Sequence, residues 1–389
     1  MNEVYILGGL RSYIGVENGI YKNILPEDLG AEVLKSLIEK YNIKNIDEII
    51  CGNSIGTGGN ITRLMALKAG ISEEVPAFTV DMQCASSSKA IEIGYNKIKA
   101  KEANIIIVGG FESSSMKPLR MYNDKDYRSS VNNGKYNVAQ FSPEEFGDDT
   151  TFKFGERVVE EENITEEELN YWSIRSHKKA FESKDILKSI TLSINGSTKD
   201  EGIRKNISER LLNRLPKIIK SGKTNVGNIS LTNDGAAFLV LCSEEYLKEN
   251  NLKSEYKIKG TKTIGINPLV SPKGALKACS LLLEKENLSY EDISAFEFNE
   301  AFAAIDVMFQ RKNPSLIDRY NIFGGALAYG HPYGASGAII MLHLLKALEK
   351  TKGRYGVTSI AASGGISMAI LIERIKKQDE LFWFINKRG

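Results

Sequence analysis

The sequence predicts an α/β fold made of two similar halves, on three observations. Short apolar runs of strand length alternate with stretches whose apolar residues recur at helical spacing. Several of the runs end in glycines. The order of these elements then repeats: Asp47 precedes Cys84 by 37 residues and Asp292 precedes Tyr329 by 37. In each half a strand leads to a small-residue turn, a helix (89–100 and 338–349) and a strand that ends in glycines (105–110 and 357–365). A repeat of this kind reads as an internal duplication, and its alternation predicts parallel sheets with helices on their faces.

Taken in order, residues 4–7 form a strand that ends at Gly8-Gly9, and residues 27–41 a helix with Leu29, Val33, Leu34, Leu37 and Ile38 on one face. Residues 47–51 are a short strand, 52–60 a glycine-rich loop, 63–70 a helix, 77–80 a buried strand and 86–100 a helix. The run Ile105-Ile106-Ile107-Val108 has no polar alternation, which predicts a strand covered on both faces. From 111 to 221 the texture becomes polar and mixed, and Thr165-Glu166-Glu167-Glu168 has the form of a capping box before a helix. This stretch reads as an insertion with a substrate-facing loop. Asn233-Asp234-Gly235 reads as a turn before a strand at 237–241.

The chain has 389 residues, 42% of them hydrophobic and 26% charged, the composition of an ordinary soluble globular protein. Fifty-one basic against forty-nine acidic residues leave a net +2, so no global field points to nucleic acid or to an anionic membrane. Cys51, Cys84, Cys242 and Cys279 are widely spaced, which argues against a zinc site or a disulfide framework and for a reducing cytoplasm. The first residues show no signal-peptide pattern, and no membrane span is expected.

Two segments carry the chemistry. Val80-Asp81-Met82-Gln83-Cys84-Ala85-Ser86 places a cysteine where a strand meets a helix, and a helix N-terminus favours a thiolate. The alternative is a small buried hydrophobe, the reading preferred for the other three cysteines. Gly330-His331-Pro332 holds an imidazole in a close-packed loop, suited to a fixed base. His177 and His343 read as structural. Asn299, in Phe298-Asn299-Glu300-Ala301-Phe302, can hold a water or orient an oxyanion donor, and it can equally cap a helix.

These blocks resemble those of the thiolase family, the acetyl-CoA C-acyltransferases. The resemblance rests on Asn-Glu-Ala-Phe-Ala at 299–303, Gly-Gly-Ala-Leu-Ala-Tyr-Gly-His-Pro-Tyr-Gly-Ala-Ser-Gly at 324–337 and Cys84 in Gln-Cys-Ala-Ser, with further matches at 8–12, 109–113 and 227–237. It implies a five-layered α/β/α/β/α fold of two similar halves with an inserted loop domain. The expected boundaries are 1–116 and 223–250 for the first half, 117–222 for the loop domain and 251–389 for the second half. It implies Cys84 as the acylated nucleophile, His331 as its base and oxyanion donor, and Asn299 as holder of the oxyanion water. It also implies Ser230 at the pantetheine arm and Arg204 at the adenine of coenzyme A. An acyl-CoA thioester would be substrate with no covalently bound cofactor, a carrier protein could stand in as donor, and the chain would form dimers or tetramers.

Three departures bear on activity. The family's second cysteine, the acid/base for carbon–carbon bond formation, falls on Ala361. Ser87 stands where glycine is usual, and no histidine occurs between 140 and 160, beside the expected CoA thiol. The expectation is an acyltransferase that forms acyl-Cys84 and passes the acyl group to an acceptor or into a condensation such as a decarboxylative one. The competing expectations are an ordinary acetyl-CoA C-acetyltransferase and a non-catalytic binding subunit.

Overall fold

The computed structural model describes residues 2–143 and 145–375. The first half runs β1 (Val4–Ser12), α1 (Pro26–Tyr41), β2 (Glu48–Gly52), α2 (Ile61–Lys68), β3 (Ala77–Val80), α3 (Ser86–Lys99) and β4 (Ile105–Glu112). The middle segment contributes α4 (Thr150–Glu161) and α5 (Glu166–Leu187), and β5 (Asn233–Ser243) returns to the sheet. The second half runs β6 (Tyr256–Gly265), α6 (Gly274–Lys285), β7 (Ile293–Phe298), α7 (Ala303–Lys312), α8 (Ser336–Thr351), β8 (Tyr355–Ala362) and β9 (Ile366–Arg374).

The strands lie in the order β7-β8-β9-β6-β1-β5-β4-β2-β3. The path β1-β5-β4-β2 in one half is matched by β6-β9-β8-β7 in the other. The two sheets join edge to edge through one short antiparallel contact, Tyr5 with Lys257 and Ile6 with Tyr256. The expected parallel sheets are therefore mixed. β2 is parallel to β3 and β4, and β7 to β8, but β5 and β9 run antiparallel to both their neighbours. The reason for β9 is local: a tight turn with Gly364 and Gly365 at positive φ joins it to β8, and so short a link makes only an antiparallel pair.

Three apolar cores define the layers, and β4 shows how. Ile105 and Ile107 point into an outer core with Leu34 and Leu37 of α1 and Met65 of α2. Ile106 and Val108 point the other way, into a central core with Ile91 of α3 and Leu342 of α8, as the two-residue period of a strand requires. The far face of the second sheet, with Phe296, Phe298 and Val357, is covered by α6 and α7. The order is therefore α1/α2, sheet, α3/α8, sheet, α6/α7, the five layers expected. α5 opens with the expected capping box at Thr165 and Glu168, and its buried Trp172 donates to Gln310 Oε1 at 2.7 Å. Among the described residues no helix is long and apolar enough to cross a membrane.

One turn expectation is overturned. Asn233-Asp234-Gly235 lies inside β5, where Gly235 pairs with Glu112 and Asp234 with Gly15. The polar side chains, which in a turn would bond to their own backbone, are satisfied by distant partners. Ser113 and Ser115 donate to Asp234, and Asn233 donates to the Gly15 carbonyl at 2.8 Å.

Candidate active site

The nucleophile segment leaves β3 and makes one 3₁₀ turn, Gln83–Ala85, before α3 begins at Ser86. Gln83 adopts φ 52°, a left-handed conformation that costs energy for a residue with a Cβ. The strain is held by Ser86, whose Oγ donates to the Gln83 carbonyl at 2.6 Å and accepts from Met82 N at 2.8 Å. Cys84 therefore sits at the foot of α3, as expected. Its sulfur receives the backbone N–H groups of Cys84 and Ser363, which favour a thiolate, but burial outweighs them and pushes the thiol up to about 12, since a low-dielectric site penalises the charged form.

His331 lines the same cleft, five residues before the start of α8. Its backbone N–H donates to Asn233 Oδ1 at 3.0 Å. Ser336 Oγ donates to the Pro332 carbonyl at 3.0 Å and lies 2.6 Å from the imidazole Nδ1. With the hydroxyl proton used on Pro332, Nδ1–H is the donor to Ser336 and Nε2 is the basic nitrogen. Burial pulls the imidazole down to about 3, so the resting ring is neutral. Tyr333 packs edge-on against it with centroids 4.6 Å apart.

Asn299 follows the last residue of β7. Its Nδ2 is 3.4 Å from His331 Nε2, and its buried Oδ1 has no partner among the described residues. The helix-cap alternative fails: α7 starts at Ala303 with Phe302 before it, and Asn299 reaches no helix N-terminus. Cys84, His331, Ser230, Ala361 and Ser363 line one cleft, with Phe141, Phe154 and Phe302 among its apolar walls. Thr151 and Phe152 occupy the stretch of that wall where no histidine occurs. Ser359 faces elsewhere, its hydroxyl donating to the Ala275 carbonyl at 2.7 Å.

Arg204 is not among the cleft-lining residues. It is exposed, its backbone N–H donates to His177 Nδ1 at 3.0 Å and its guanidinium to the Glu201 carbonyl. His177 and His343 are both buried away from the cleft, and Cys51, Cys242 and Cys279 are core residues.

Sequence reasoning missed the clasp that joins the two segments. Glu112, at the end of β4, accepts from Ser54 N at 2.9 Å and Asn53 Nδ2 at 3.1 Å in the glycine-rich loop, whose Ser54 Oγ donates to the Gln83 carbonyl at 3.0 Å, and from Gly334 N at 3.0 Å two residues after Pro332. Burial lifts this carboxyl to about 7. Ser87 Oγ accepts from Ala338 N at 3.0 Å, so a residue of α3 satisfies one of the open donors in the first turn of α8. The orienting role of Ser336 had a signal in the sequence, a hydroxyl five residues beyond the histidine. The clasp had none, because its partners are far apart in the chain.

Comparison with known proteins agrees with this architecture. Residues 4–245 match the N-terminal thiolase domain and residues 252–374 the C-terminal thiolase domain. A probable acetyl-CoA acyltransferase of Staphylococcus aureus is 33% identical over 397 residues, covering 97% of this chain and all of that protein. The crystal structure of the Bacillus anthracis acetyl-CoA acetyltransferase superposes with a TM-score of 0.90 at 29% identity, over 96% of this chain and 99% of that one. Human mitochondrial 3-ketoacyl-CoA thiolase, solved in complex with CoA, superposes with a TM-score of 0.89 at 26% identity, over 96% of this chain and 98% of that one. On these matches, and on the fold and site they coincide with, the chain belongs to the thiolase family of CoA-using acyltransferases.

Proposed function

We propose that this enzyme takes an acyl group from an acyl-CoA onto Cys84 and passes it to a second acceptor, with the acid/base of the usual carbon–carbon condensation missing. The observation that carries this reading is the make-up of the cleft. It holds Cys84 and His331, and among the described residues its other lining includes Ala361 but no further cysteine or histidine. In the first step Nε2 of His331 takes the thiol proton, Sγ attacks the thioester carbonyl, and the CoA thiolate leaves with a proton returned by His331. The N–H groups of Cys84 and Ser363 stabilise the charge that develops beside the sulfur. His331, and a water held by Asn299, serve the oxyanion of the second step.

Ser230 on the cleft wall is read as the contact for the pantetheine arm, and Arg204 on the exposed surface as the contact for the adenine. Ala361 is read as the position of the family's second cysteine. The loop domain is assigned to 117–222 and the two halves to the remainder, split at 250/251, with a dimer or tetramer as the working assembly in the cytoplasm. An acyl group delivered by a carrier protein would use the same Cys84 chemistry.

The test is intact mass after incubation with acetyl-CoA. The protein gains one acetyl group and Cys84→Ala gains none. No gain in the wild-type protein with any acyl-CoA contradicts the proposal and favours a non-catalytic binding subunit.

A further inference from the structure

The chain reaches His331 through a single helical turn, Ala326–Tyr329, followed by Gly330. The turn is closed at both ends. Ala328 N and Tyr329 N donate to the Gly325 carbonyl at 2.9 and 3.0 Å, and Gly330 N donates to the Ala326 carbonyl at 2.8 Å. Beyond it, His331 N is held by Asn233 Oδ1 and by the Leu231 carbonyl, each at 3.0 Å. So short a turn moves as one piece, and the place of its first residues bears directly on the place of the imidazole.

Those first residues are held by Glu300, a fully buried carboxyl. It accepts from Leu327 N at 3.3 Å, from Ser176 Oγ at 2.5 Å and from Asn321 Nδ2 at 2.8 Å. Leu327 N is one of the donors that a helix leaves open in its first turn. Ser176, on α5, accepts in turn from Gly325 N at 3.0 Å. The approach is close: a Cβ on Gly325 would stand 2.6 Å from the Glu300 carboxyl carbon. Burial raises the carboxyl above its ordinary range, and the bonds from Ser176 and Asn321 and the charge of Arg175 oppose that rise. Glu300 also follows Asn299 in the chain, and Asn299 Nδ2 lies 3.4 Å from His331 Nε2. Asn321 braces this side as well, taking Phe298 N on its Oδ1 at 2.8 Å and donating to the Phe298 carbonyl at 3.1 Å. One carboxyl thus grips the segments that carry both members of the Asn299–His331 pair. Neither Glu300 nor Ser176 nor Asn321 is among the residues that line the cleft, so their influence on the chemistry runs through other residues.

We propose that Glu300 is a positioning residue for acyl transfer: through the turn Ala326–Tyr329, and with Ser176 as its relay to Gly325, it sets the imidazole of His331 against Asn299. The inference rests on the reading of His331 as the base given above, and it names what aims that base.

The test is a double-mutant cycle on the full-length protein, read as the rate of mass gain at Cys84 from acetyl-CoA after rapid quench. Glu300→Gln keeps the shape of the side chain but turns an N–H₂ group toward one of the donors it accepted from. Alone it should slow acylation at saturating acetyl-CoA by about tenfold or more, the effect of one buried hydrogen bond to a charged group. The acetyl-CoA concentration for half-maximal rate should move by less than about twofold, because no contact with the substrate is lost. In the His331→Ala background the same substitution should cost less than about twofold, since no imidazole remains to be misplaced. Ser176→Ala should follow the same pattern with a smaller loss, and it carries the test if Glu300→Gln does not fold. An equal loss in the two backgrounds makes Glu300 a support of the fold and overturns the inference, as does acylation at the wild-type rate in Glu300→Gln. Either result leaves His331 standing as the base. Acylation at the wild-type rate in His331→Ala overturns both.

Discussion

In the first half a 3₁₀ turn, Gln83–Ala85, precedes α3 at Ser86; in the second, Tyr333–Ala335 precedes α8 at Ser336. The turns set Gln83 against Tyr333, Cys84 against Gly334 and Ser86 against Ser336. The sequence count, which matched Cys84 to Tyr329, was therefore five residues out of step. The two serines show what the duplication became. Ser86 receives a backbone N–H and holds the nucleophile turn, whereas Ser336 receives the imidazole Nδ1–H and aims the base. Gly334 could not have become a second nucleophile, because a Cβ there would meet the Gly52 carbonyl oxygen at 2.7 Å and Asn53 Cα at 2.8 Å. One architecture thus holds Cys84 inside its turn in one half, and His331 just ahead of its turn in the other.

The comparison breaks first at the base. His331→Ala should lower the rate of Cys84 acylation by about 10²- to 10⁴-fold, the worth of a positioned general base. Stopped-flow release of CoA reads this, and a loss under about threefold would remove His331 from that role. The pair is also held neutral at rest, by burial of both groups. Alkylation of Cys84 by iodoacetamide should therefore keep rising with pH beyond about 8.5, the ordinary thiol value. A plateau near neutrality would instead mean a preformed thiolate–imidazolium pair.

Smaller effects sharpen the serine contrast. Ser336→Ala leaves the imidazole Nδ1–H without its acceptor and should slow acylation by about tenfold, through one lost buried hydrogen bond. Ser87→Ala removes a cap from α8 without touching the cleft, and should cost about 1 kcal/mol in thermal or denaturant unfolding. If Ser87→Ala slows acylation more than Ser336→Ala does, the assignment of the two hydroxyls is reversed.

Much of this was legible in the sequence because it is local. Strand runs, the capping box at Thr165 and the cysteine at the foot of α3 depend on neighbours within a few residues. The unbroken apolar run at 105–108 announced a strand buried on both faces, and β4 is one. What was not legible depends on partners far apart in the chain. Asn233-Asp234-Gly235 has the composition of a turn, and pairing with Gly15, Val16 and Glu112 makes it part of a strand, its side chains satisfied by Ser113, Ser115 and Gly15. Asn299 reads evenly as a cap or a site residue until His331 Nε2 lies 3.4 Å away.

On the proposed account the site is complete for its first half-reaction and lacks, at Ala361, the base of the second. Formation of acetoacetyl-CoA from acetyl-CoA, measured side by side for the wild-type protein and Ala361→Cys, tests this most directly. The wild-type protein should accumulate acetyl-Cys84 with little acetoacetyl-CoA, and Ala361→Cys should raise condensation by about 10²-fold or more. Efficient condensation by the wild-type protein, unchanged in Ala361→Cys, would contradict the account and make this an ordinary acetyl-CoA C-acetyltransferase.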